Sequence, residues 1–112
     1  MVKVVWFLKK ASHLSMDEFR RWWLEGHAPM VVEKQGGMLT RYVVNIRADT
    51  DNLPGAPSTS FEWDGMAEEW FENEEEAHQA FTLPSASEAR ADVMAHVSKI
   101  SRFIVTEHNI ID

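Results

Sequence analysis

Between Met16 and Lys34 the sequence places Phe19, Trp22, Trp23, Gly26, His27 and Met30 at the three- and four-residue intervals of one helical stripe. A single histidine therefore sits within an aromatic face. Ser15-Met16-Asp17-Glu18 has the form of a capping box: the Ser15 hydroxyl can accept from the Glu18 amide while the Glu18 carboxylate reaches back. Pro29 has no amide proton for the Glu25 carbonyl and biases Ala28 away from the helical region, so the helix is expected to kink or end beside His27. Gln35-Gly36-Gly37 supplies the stop signal.

The flanking segments read as strands. In residues 2–9, Val4, Trp6 and Leu8 alternate with Val5 and Phe7, and a strand apolar on both faces belongs at the centre of a sheet. From Leu39 to Arg47, Thr40, Tyr42, Val44 and Ile46 form a greasy face, opposite Leu39, Arg41, Val43, Asn45 and Arg47. From Phe61 to Phe71, Asp64, Met66, Glu68 and Trp70 alternate with Trp63, Ala67, Glu69 and Phe71, and this strand is expected to pair antiparallel with the one before it. Asn73 caps a short helix that runs to Phe81 before Pro84, a second short helix spans Ser87 to Val97, and Ile100 to Ile111 closes the chain as a strand and tail. The order β-α-β-β-α-β predicts a ferredoxin-like α+β fold, with helices on one face of an antiparallel sheet. The turn-rich stretch from Ala48 to Ser60 is a candidate lid.

Length and composition sharpen this outline. With 112 residues the chain is expected to form one domain, 1–112. Five Trp and six Phe are more apolar bulk than one helical layer can hide on both faces of a sheet, so a second subunit is expected to cover the other face. Cysteine is absent, which removes disulfides and thiolate chemistry and fits a reducing, cytoplasmic setting. The segment Met1 to Lys10 is too short and too charged for a signal peptide or membrane span. The net charge of -7, much of it between Glu62 and Glu76, disfavours nucleic acid and anionic membranes as partners.

The blocks Leu14-Ser15-Met16-Asp17-Glu18-Phe19, Trp22-Trp23 and Gly26-His27-Ala28-Pro29 resemble the first-helix signature of the EthD domain family. Arg41-Tyr42-Val43-Val44-Asn45, Trp63 to Glu68, Trp70-Phe71 and Ala91-Asp92 continue the resemblance in order along the chain. It implies a dimeric α+β barrel, two sheets packed face to face across a homodimer. It also implies a cavity between the first helix and the sheet for a small, mostly apolar or aromatic ligand, without metal or organic cofactor.

Within such a cavity His27 is the candidate base, because Trp23 and Met30 would desolvate it and favour the neutral imidazole. Tyr42, on the greasy face of its strand, could donate to a ligand carbonyl or act as an acid. Asp64 could orient His27 as its carboxylate partner, and Trp6, Trp23, Trp70 and Phe81 would shape an aromatic slot. Asp92 and His96 are four apart on a helix and can pair with each other. No histidine spacing builds a metal site. The reading is a cofactor-independent lyase, dehydratase or isomerase acting on a small aromatic, lactone or polyketide-like compound by His-assisted proton transfer. The alternatives are an accessory protein that binds a hydrophobic metabolite in an oxidative pathway, or a cofactor-free monooxygenase. Haem handling fits poorly, since few arginines lie near the stripe to meet propionates.

Overall fold

Because β1 (Val2–Lys10) is apolar on both faces, it takes an interior place in the sheet. The computed structural model describes residues 1–35, 37–56 and 60–112. In it β1 lies between β3 (Gly65–Phe71) and β4 (Val97–Val105), with β2 (Leu39–Ile46) outside β3, in the order β2-β3-β1-β4. All three pairings are antiparallel. This is the ferredoxin-like α+β fold. No helix among the described residues is long and apolar enough to cross a membrane.

Register decides which side chains share a face. Val4 lies opposite Glu69 and Ile104, Trp6 opposite Ala67 and Arg102, and Leu8 opposite Gly65 and Ile100. Tyr42 and Val44 face Glu69 and Ala67 in turn. These positions form the helix-bearing face, where Leu8, Ala67 and Val97 are buried with Phe19 and Trp23, and Val4 and Phe71 with Ala77 and Ala80. A register shift between Leu39 and Arg41 departs from simple alternation and brings Leu39 onto this face, against the Val4 and Phe71 cluster.

The first helical segment begins as the sequence predicts. The Ser15 hydroxyl accepts from the Glu18 amide at 3.1 Å, and the Glu18 carboxylate accepts from the Ser15 amide at 2.9 Å. Pro29, however, neither ends nor breaks the helix. The run passes from α1 (Met16–Arg21) through a π-helical turn at Trp22–His27 into α2 (Ala28–Lys34). The Ala28 amide reaches back five residues to the Trp23 carbonyl, and Pro29 falls in the first turn of α2, where a missing N–H costs little. Gly36 of the expected stop signal lies outside the described residues.

Two further helices complete the layer. Asn73 caps α3 (Glu74–Thr82) by accepting from the Glu76 amide at 2.8 Å, and α4 (Ala86–His96) leads directly into β4. The third strand begins at Gly65 rather than Phe61, since Arg47 takes the carbonyls of Phe61 and Trp63 with its guanidinium. The last strand begins at Val97 and ends at Val105, leaving Ile110 and Ile111 exposed in the tail. Of the candidate lid, residues 48–56 are exposed and 57–59 lie outside the described residues.

Gly65 has a packing reason. A Cβ there would meet the Asn45 carbonyl oxygen at 2.9 Å and would collide with the six-membered ring of Trp23. The absence of a side chain lets that indole lie against the sheet. On the opposite sheet face, Phe7 stacks on Phe103 at 5.8 Å and touches Phe61 and Trp63. Among the described residues no helix covers this aromatic cluster, and Phe103 remains 48% exposed.

Candidate active site

Between the helices and the helix-bearing face lies a cavity of about 640 Å³. Val4, Trp6, Leu8, Tyr42, Ala67 and Glu69 provide its sheet wall, and Trp23, His27, Val31 and Gln35 its first-helix wall. Phe81 and His78 come from α3, and Ala89, Arg90 and Val93 from α4. Most of this lining is apolar. Volume and lining suit a small organic molecule with a few polar atoms.

His27 ends the π-helical turn and is 5% exposed. Its Nδ1 lies 2.9 Å from Asp92 Oδ2, and the same oxygen accepts the Trp22 indole N–H at 3.1 Å. Two donors from one helix turn thus hold an α4 carboxylate. Trp22 is itself sandwiched, its ring 5.0 Å from the His27 ring and 4.5 Å from the His96 ring, both stacked. With Asp92 ionised, the His27 proton resides on Nδ1 and the lone pair on Nε2, to which no described residue is hydrogen-bonded. Burial holds the imidazole below its usual range, outweighing the Asp92 carboxylate that favours its charged form. Near neutral pH this favours the uncharged imidazole.

Tyr42 stands on the facing strand. Its hydroxyl accepts from the Trp23 indole at 3.4 Å, which leaves the phenolic proton available to the cavity. Burial raises this phenol to about 12, so it serves as a hydrogen-bond donor rather than a titrating acid.

Among the eight residues singled out from sequence, five meet here: His27, Tyr42, Trp6, Trp23 and Phe81. Trp6 and Phe81 pack edge to face at 5.8 Å. The other three lie elsewhere. Asp64 precedes β3, accepts the Lys10 amide at 2.9 Å and faces Arg47, beside a shallow depression on the other side of the sheet. It is therefore not the carboxylate partner of His27. Trp70 is likewise on that other face, between Lys3 and Arg41, with its indole donating to Glu107 at 3.1 Å. Strand alternation puts both residues out of phase with Ala67 and Glu69. Met30 is half-buried beyond the cavity lining, because the extra residue of the π turn rotates α2 away from the ideal stripe.

Two residues of the site were not expected. Asp92 pairs with His96, as its spacing allows, but also reaches His27 across the helix interface. Glu69, at 4% exposure, lies among apolar side chains on the cavity floor. Its position was readable: it is the one acidic residue in phase with Ala67 and Phe71. Among the described residues, no cluster of three His, Cys, Asp or Glu is placed to hold a metal ion.

Comparison with known proteins gives this geometry a context. A sequence profile for the EthD domain matches residues 11–101. The structure is similar to that of an EthD family protein from Bacillus halodurans, with 19% identity, TM-score 0.73 and coverage of 96% of this chain and 99% of the other. It is also similar to a protein from Arabidopsis thaliana, at 15% identity, TM-score 0.71 and 99% coverage of both chains. A third similar structure is a cofactor-independent oxygenase from Streptomyces nogalater, at 11% identity and TM-score 0.68, covering 98% of this chain and 95% of the other. Among curated proteins, none matches the sequence.

Proposed function

The chain belongs to the EthD domain family, and from that premise we propose that it is a cofactor-independent enzyme acting by proton transfer on a small aromatic, lactone or polyketide-like carbonyl compound, as a dehydratase, lyase or isomerase. One observation carries the reading: His27, buried and tethered through Nδ1 to Asp92, lines a mainly apolar cavity of about 640 Å³. In such a site Nε2 takes a proton from carbon next to the substrate carbonyl, while the Tyr42 hydroxyl donates to the oxygen where charge develops. The mainly apolar walls lower the local polarity and strengthen both interactions. Trp6, Trp23 and Phe81 set the width of the slot and favour a flat skeleton.

The test is deuterium uptake. The protein is incubated in D2O with small phenols, lactones and anthrone-type ketones, and exchange at carbons beside the carbonyl is followed by NMR. Protein-dependent exchange in one compound class is the expected result. Binding seen by tryptophan fluorescence, with no exchange in any class, would instead favour an accessory protein that carries a hydrophobic metabolite. A second reading, cofactor-free oxygenation, is supported by the similarity to the Streptomyces nogalater oxygenase, and oxygen consumption coupled to substrate loss would identify it.

The same reading makes the protein a cytoplasmic homodimer, with the Phe7, Phe61, Trp63 and Phe103 face covered by a second copy to form the α+β barrel. Two solved structures of similar fold are described as dimeric. Sedimentation is expected to give a dimer, and Phe103→Glu to shift it towards monomer. A strictly monomeric native protein would sink this part of the proposal.

A further inference from the structure

Glu69 is a carboxyl group placed where a charge is poorly tolerated. It lies midway along β3, directly opposite Val4 on one side and Tyr42 on the other, with its side chain in the floor of the cavity that His27 lines. Sheet neighbours give it no counter-ion: Lys3, the nearest cation of β1, pairs with Glu68 on the opposite face. The groups of its own surroundings are the Trp6 indole of β1 and the Tyr42 hydroxyl of β2. Around the cavity the ionisable groups are His27 on the first helix, Glu74 and His78 on α3, Arg90 on α4 and Arg102 on β4. Arg90 and Arg102 are exposed, and Arg90 is engaged with the Phe81 carbonyl at 2.9 Å.

Resting on the proton-transfer reading above, we infer that Glu69 is the cavity's proton donor, held as an uncharged carboxylic acid that hydrogen-bonds and protonates the carbonyl oxygen of an uncharged, enolisable ketone or lactone. Burial supports this by pushing the carboxyl up to about 7, against the smaller opposing influence of the Trp6 indole. Such a group gives one fold an acid and a base at the same pH. A carbon–hydrogen bond beside the carbonyl breaks, its proton passes to His27 Nε2, and its electron pair forms the new carbon–carbon double bond. The Glu69 O–H proton passes to the carbonyl oxygen, giving a neutral enol, an imidazolium and a carboxylate. In a β,γ-unsaturated carbonyl compound the enol is a conjugated dienol, and isomerisation returns the His27 proton to its γ carbon, shifting the double bond into conjugation, while the enol O–H proton returns to Glu69 as the carbonyl re-forms, so both residues are restored. A buried acid also selects against anionic ligands: a ligand carboxylate would compete with Glu69 for the proton or meet its charge in an apolar cavity.

The first test needs no substrate. Protein labelled with 13C at the glutamate carboxyl carbons is titrated by NMR, with Glu69→Gln identifying the signal. One carboxyl is expected to titrate near neutrality, well above the rest, and to vanish in the variant. If Glu69 instead titrates with the exposed carboxylates the inference is overturned, whatever becomes of the proton-transfer reading. Anthrone, an uncharged enolisable ketone, is the binding probe, measured anaerobically by fluorescence. Its affinity is expected to fall about tenfold from pH 5.5 to about pH 8.5, and to become flat across that range in Glu69→Gln, whose amide remains a donor. A slope retained in Glu69→Gln but removed in His27→Asn would assign the effect to the imidazole and overturn the role of Glu69.

Discussion

Turnover is expected to fall by about 10²–10⁴-fold when His27 is replaced by Ala, the contribution typical of a positioned proton-transfer group. Ligand binding should persist, because the cavity walls are mainly the apolar side chains of other residues. The comparison variant is Asp92→Asn. Removing the carboxylate weakens the hold on Nδ1 and removes the influence that favours imidazolium, so the acid limb of kcat/KM should move to lower pH while turnover falls less than in His27→Ala. In the unsubstituted protein, the proposed activity should be lost as pH falls below the ordinary histidine range, since burial places the His27 transition beneath 6.5. Steady-state profiles of the three proteins against pH decide the matter. Unchanged turnover in His27→Ala would make this histidine a packing residue.

The largest loss of stability is expected at Trp23. The residue is 1% exposed, contacts Phe19 and Trp22, lies over Gly65 and donates to Tyr42. Trp23→Ala should cost about 3–5 kcal/mol in denaturant unfolding, a large share of what a domain of this size possesses. The loss arises twice over, from apolar area returned to water and from a hole that the Gly65 backbone cannot fill. Gly65→Ala approaches the same contact from the sheet and should destabilise by about 1–3 kcal/mol through overpacking. These measurements belong at a stated pH. Raising the Glu69 carboxyl favours folding at low pH, and that stability is lost as pH rises from 4.5 through about 7. Lowering the His27 imidazole acts in the other direction, with stability lost as pH falls below 6.5.

Much of the fold was legible because its signals are local. Alternation in β2 assigned Tyr42, Val44 and Ile46 to the helix-bearing face, though it put Leu39 on the opposite one, and the capping box placed the start of the first helix. The parity of the third strand also divided its residues correctly. It placed Asp64 and Trp70 opposite Ala67 and Glu69, but did not say which face met the helices, so Asp64 and Trp70 were assigned to the wrong one. Asp92 was visible as a partner of His96 and within the family resemblance, but not as a partner of His27, because that contact joins positions 65 residues apart. The bulge beside Leu39 and the π turn at Trp22–His27 escaped detection for a related reason: each adds a residue to a regular element, and neither needs a glycine or proline at that spot.

That π turn ties the position of His27 to the way this segment is wound. The same residues wound as regular α-helix would turn everything beyond the segment by about 100° relative to what precedes it. The backbone would gain a more ordinary ladder, while His27 would leave the cavity wall and Asp92 would lose its tether. Helical regularity and a working site are thus alternatives in this segment. A redesign that straightened the helix in search of thermostability would erase the chemistry without touching a single candidate residue.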